Sequence, residues 1–206
     1  MGYRKRVLDN TTKLKDPSHP RHHGITMQAH HLLSKQGVKD SGLDKKLEHL
    51  GYDINHLKNV ALIPSTLPGA CHLKTQLHRG NHTTVTDSND DDDEHDDSYH
   101  EIVVKLVRTL ENEINYGENC SERAIIKLMN IYSKRMAKKI NYGSDGKATA
   151  LLTDIAGNFA PANNMGCKNS RSIPKARESQ ESCKEKRIHG FQIQVKQIPY
   201  KIRPEK

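Results

Sequence analysis

The side chains with the most chemistry to offer lie in two short stretches, Gln28-Ala29-His30-His31-Leu32-Leu33 and His78-Arg79-Gly80-Asn81-His82. Neutral imidazole is a good ligand for Zn2+ and similar divalent ions. His78 and His82 are four residues apart, so on a helix they would face the same way and could grip one ion. His30, brought in from a distant strand, would complete a three-ligand set. Adjacent residues of a strand point to opposite sides, so His31 would stay outside that set and could take a proton from water. Three protein ligands leave coordination positions open, as in catalytic rather than structural metal sites. One divalent cation (Mg2+, Mn2+ or Zn2+) beside a base suits hydrolysis of a phosphodiester. Arg79 could clamp a phosphate oxygen bidentately or simply occupy the surface. Each element is weak by itself in a chain with 13 His, and a second dipeptide, His22-His23, is assigned no role.

Positioning these groups requires a strand before them and helices behind. Ile25, Met27 and Ala29 alternate with polar residues, which predicts a short strand ending at the two histidines. Residues 59–64 (NVALIP) read as a second strand, and Leu67-Pro68-Gly69-Ala70 as a turn. The second histidine group is expected at or just before the start of a helix. Leu43, Leu47 and Leu50 predict a helix with Asp44 near its start and Gly51 as its stop. Tyr99, Ile102, Val103, Leu106, Val107, Leu110 and Ile114 mark an amphipathic helix ending near Gly117. A further helix opens at a Ser121 cap, carries Ile125, Ile126, Met129, Tyr132, Met136 and Ile140 on one face, and stops at Gly143. Phe191, Ile193 and Val195 predict a late strand. These patterns describe an α+β chain. Residues 1–23 form a basic arm, 24–143 a main domain, and 144–206 an irregular basic extension ending in that strand.

Hydrophobic residues are only 33% of the 206 and aromatics 4%, enough for a modest core but not for one along the whole length. The formal net charge of +8 conceals an asymmetry. Residues 87–97 (DSNDDDDEHDD) hold eight acids, an insertion expected to be a solvated loop. The rest carries 33 basic against 17 acidic residues, net +16, and such a body attracts polyanions, nucleic acid first. Cys71, Cys120, Cys167 and Cys183 form no CxxC pair, so a zinc ribbon is unsupported, and free thiols in a reducing compartment are expected. Met1-Gly2-Tyr3-Arg4-Lys5-Arg6 has no apolar core behind it, and no apolar run could span a membrane.

In combination, Gln28 to Leu33, Gly51-Tyr52-Asp53-Ile54-Asn55, residues 59–64, His78 to His82 and Tyr99-His100-Glu101-Ile102-Val103 resemble the AHH nucleases of the HNH and endonuclease VII superfamily. The resemblance covers roughly residues 25–115. It implies a ββα-metal core, a hairpin and a helix gripping one divalent ion, here with additional helices and irregular extensions. It implies His30, His78 and His82 as metal ligands and His31 as general base. Asn59 would be the central Asn of the HNH pattern, fixing the hairpin or orienting the base. The chain departs from the family in the acidic stretch that separates His82 from Tyr99. Family members recur as toxin domains delivered between bacteria, often with a neutralising partner.

The expected function is a metal-dependent endonuclease acting on nucleic acid, DNA ahead of RNA, as an antibacterial effector with an acidic immunity protein. The expected setting is the producer's cytoplasm, then export or injection without a classical signal. The rivals are a non-catalytic, metal-stabilised nucleic-acid-binding module, an RNase toxin, and an interaction protein whose histidines are incidental.

Overall fold

The structure is a computed structural model that describes residues 7, 19–23, 25–78, 97–116, 121–152, 161–163, 167 and 200–205. It is a mixed helical chain around a small antiparallel sheet, compatible with the α+β class. Strands β1 (Met27–His31) and β2 (Val60–Pro64) pair with Met27 opposite Pro64 and His31 opposite Val60. Alternation divides the sheet between two clusters. Met27, Ala29, Val60 and Leu62 pack with Val7, Ile25 and Leu73, whereas Ala61 and Ile63 join the main core. Gln28 and His30 share the latter face.

Among the described residues five α-helices accompany the hairpin: α1 (Lys35–Asp40), α2 (Asp44–His49), α3 (Leu67–Leu73), α4 (Asp97–Tyr116) and α5 (Glu122–Ile140). The faces of α4 and α5 expected from periodicity are buried: Val103, Val107 and Leu110 belong to the same core cluster as Ile125, Met129, Met136 and Ile140. Ser121 caps α5 by accepting from the Ala124 amide at 3.2 Å. Gly51, at φ +84°, occupies the left-handed region after α2, as its expected stop role requires.

Two expectations need correction, and one helix was not expected. Residues 67–70 are not a turn but the first turn of α3. Thr66 accepts from the Gly69 amide at 3.2 Å, and Pro68 lies where the first turn tolerates a missing N–H. Helix α1 had no expected counterpart, because Gly37 at its centre and a single buried apolar side chain, Val38, give no periodic signal. Cys71 is not a free thiol. It is disulfide-bonded to Cys167 across 96 residues of sequence, a pairing that spacing cannot reveal.

Part of the C-terminal stretch packs into the body. Ala150, Leu152 and Ile202 belong to the main core. Residues 200–205 cover the outer edge of β2: the Tyr200 hydroxyl donates to the Leu62 carbonyl at 2.6 Å and the Glu205 amide to the Val60 carbonyl at 2.8 Å. The late strand expected at 191–195 and most of the acidic run lie outside the described residues. Among the described residues no helix is long and apolar enough to cross a membrane.

Candidate active site at the end of the hairpin

The two adjacent histidines separate as strand geometry requires. His30 points into the interior and is 2% exposed, while His31 is partly open to solvent. The ring of His30 meets that of His78, with centroids 4.8 Å apart in an edge arrangement. His78 is not itself on a helix, and the residues that follow it lie outside the described ones. It lies five residues past the end of α3 on a segment pinned to the hairpin, its amide donating to the Pro64 carbonyl at 2.9 Å. Gln76, two residues earlier, anchors that segment. Its Nε2 donates to the carbonyls of Ile140 and Ala150 at 2.6 and 2.8 Å, and its Oε1 accepts from the Leu152 amide at 2.8 Å. His82 and Arg79 lie outside the described residues.

Hydrogen bonds assign the ring tautomers. Tyr99, in the first turn of α4, donates its hydroxyl to the Leu32 carbonyl at 2.8 Å, so its oxygen accepts from His30 Nε2 at 2.7 Å. His30 in its neutral form then carries its lone pair on Nδ1. Complete burial pushes the Tyr99 phenol well above its ordinary range and keeps it a neutral donor. His78 Nδ1 lies 2.9 Å from Gln28 Oε1 and donates to it, which puts the lone pair on Nε2. Two buried imidazoles side by side, each with its second nitrogen held by a polar partner, fit a borderline divalent cation as donors. Among the described residues no group of three His, Cys, Asp or Glu side chains gathers as a ligand set.

His31 faces a different set of partners. Its Nε2 lies 3.2 Å from Asn55 Oδ1. The orientation of that amide is settled by Asp53, whose Oδ1 accepts both the Asn55 amide at 2.8 Å and Asn55 Nδ2 at 3.1 Å. A carboxylate accepts only, so Asn55 must turn its oxygen to His31. The Asp53–Asn55–His31 chain therefore holds the proton on Nε2 and leaves the basic lone pair on Nδ1. Burial lowers the His31 pKa below its ordinary value. The Asn55 bond and the charge of Asp53 oppose that effect, and the charge of Lys35 adds to it. The ring is thus neutral at pH 7, the form a general base needs.

Of the two parts expected of Asn59, its bonds match fixing the hairpin rather than orienting a base. It is wholly buried, and its Oδ1 accepts from the Leu33 amide at 2.8 Å and the Ser133 hydroxyl at 2.9 Å. Its Nδ2 donates to the carbonyls of Leu33 at 3.1 Å and Ile54 at 2.9 Å. It clamps the ends of the hairpin to each other and to α5, and the residue that touches His31 is Asn55. The sequence signal for Asn55 was its place in the Gly51-to-Asn55 stretch, without a role attached. Tyr99 and Gln28 likewise lie in the stretches that carry the family resemblance, and Gln76 has no signal. Ser34 links the same corner to α4, its Oγ lying 2.8 Å from His100 Nδ1.

The model of the AHH family, a nuclease family of the HNH/ENDO VII superfamily with a conserved AHH motif, matches residues 10–140, more than half of the chain. The protein belongs to this nuclease family. Its HNH/ENDO VII relatives generally use a divalent metal. No curated protein and no solved structure matches the chain significantly.

Proposed function

We propose that this chain is a metal-dependent endonuclease that hydrolyses phosphodiester bonds, with His31 as general base and His30, His78 and His82 as ligands of one divalent ion. The observation that carries this reading is the division of labour at the strand end. His30 packs against His78 inside, while its neighbour His31 faces outward on the Asp53–Asn55 pair. His31 Nδ1 takes the proton from the attacking water, and Asn55 holds the ring so that this nitrogen stays basic. The ion, when bound, supplies electrostatic stabilisation of the charge growing on phosphate and leaving oxygen. Tyr99 and Gln28 hold the two buried rings in register.

The net +16 outside the acidic run supports a polyanionic substrate, and we favour DNA over RNA. By family character we assign the chain to antibacterial effectors, made in the producer's cytoplasm and passed to target cells. An acidic immunity protein would complement its charge.

Plasmid DNA incubated with the protein and Mg2+, Mn2+ or Zn2+ should be cut, and EDTA should stop the reaction. His31→Ala should lower the rate by roughly 10²–10⁴-fold, the usual worth of a general base, while divalent-ion binding by calorimetry persists. His78→Ala should lose ion and activity together. Parental cleavage by His31→Ala would refute the role given to that ring, and bound metal without cleavage of DNA or RNA would leave a binding module.

A further inference from the structure

A groove of about 490 Å3 opens beside His31, in the size range of small-ligand sites (~300–1,000 Å3). Its connection to the site is direct. Asn55, which lines it, is the hydrogen-bond partner of His31. Lys35 and Asp53, which also line it, lie within electrostatic reach of that ring.

The walls carry opposite charge. Lys35 and Lys39, four apart on α1, form one rim, and Asp44 and Glu48, four apart on α2, form the other. Edges of Val38, Leu47 and Tyr52 make an apolar floor. A trough for bare phosphates would be basic on both sides, and here the acidic rim would repel a second backbone. A nucleotide matches better: a flat apolar face for the floor, a phosphate for the lysines, and an edge of N–H donors for the carboxylates.

We infer that the groove between α1 and α2 binds one unstacked nucleobase of the substrate strand next to the scissile phosphate, and that Asp44 and Glu48 select bases bearing an exocyclic amino group. The inference rests on the nuclease reading above. Adenine and cytosine offer such donors, and thymine offers only a ring N–H and carbonyl acceptors. Taking up a base requires unstacking, so unpaired strands should be preferred over duplex.

The test is fluorescence anisotropy of the full chain with labelled, nuclease-resistant phosphorothioate oligomers of deoxyadenylate, deoxycytidylate and thymidylate of equal length. The parent should bind the first two about tenfold tighter than thymidylate, the worth of one hydrogen bond to a charged group. Glu48→Gln, an exposed change that spares the fold, should narrow that ratio, and Asp44→Asn/Glu48→Gln should bring it to about twofold or less. Lys35→Gln/Lys39→Gln should weaken all three alike. Equal binding of the three oligomers by the parent, or an unchanged ratio in the Asp44/Glu48 variant, overturns the inference even if plasmid is cut. Failure to bind any oligomer together with failure to cut plasmid overturns the nuclease reading, and the inference with it.

Discussion

Asn55 and Asn59, four residues apart in the chain, place their side chains in opposite kinds of surroundings. Asn59 uses oxygen and amide nitrogen on four partners in a dry interior. Asn59→Ala would strand the Leu33 amide, two carbonyls and the Ser133 hydroxyl, each costing about 1–3 kcal/mol when buried without a partner. Urea denaturation should therefore show a loss of at least roughly 3 kcal/mol. Asn55 is only half-buried and engages His31 and Asp53 near solvent. Asn55→Ala should leave the denaturation midpoint nearly unchanged while kcat falls on the order of tenfold at constant KM, as expected when a base loses its orientation rather than its substrate. Similar stability losses in the two variants would contradict this division.

Among the elements, the contact that positions α4 over the site is the close approach of α1. A methyl group added at Gly37 would sit 2.7 Å from Cβ and Cγ1 of Val103, near the backbone of α4 where little can give. Alanine is the better helix former by about 1 kcal/mol. Overpacking by a methyl group at such a contact typically costs ~1–3 kcal/mol and should outweigh that gain. Gly37→Ala is thus expected to lower the melting temperature. Because Tyr99 and His100 ride on α4 and reach His30 and Ser34, the shift should also weaken divalent-ion binding. A higher melting temperature with unchanged ion affinity would show that α4 does not rest on that glycine.

At the scale of the molecule, distant pieces of chain converge behind the site. The Cys71–Cys167 bond ties α3 to a residue far along the sequence, and the segment leaving α3 carries Gln76 and His78. Closing a loop of 96 residues should contribute about 2–5 kcal/mol. Cys71→Ser, Cys167→Ser and the double variant should each lose that amount, and reductant should lower the parent's melting temperature but not the variants'. Additive losses for the two single changes would mean that each thiol acts by packing rather than through the bond.

What could be read from the sequence was local and periodic. The alternation of Met27 and Ala29, the stripes of α4 and α5, the Ser121 cap and the stop at Gly51 each depend on neighbours within a turn or two, so the pattern carries them. The opposed directions of His30 and His31 follow from the two-residue repeat of a strand in the same way. Tertiary structure decided the rest, because it depends on pairs far apart in the chain. Gln28 holds the ring of His78 across 50 residues and Tyr99 that of His30 across 69. Gln76 reaches Leu152 across 76 residues and Cys71 joins Cys167 across 96. That Asn55 rather than Asn59 meets His31 turned on which amide remained near solvent, a matter of burial that two identical residue types cannot display in sequence.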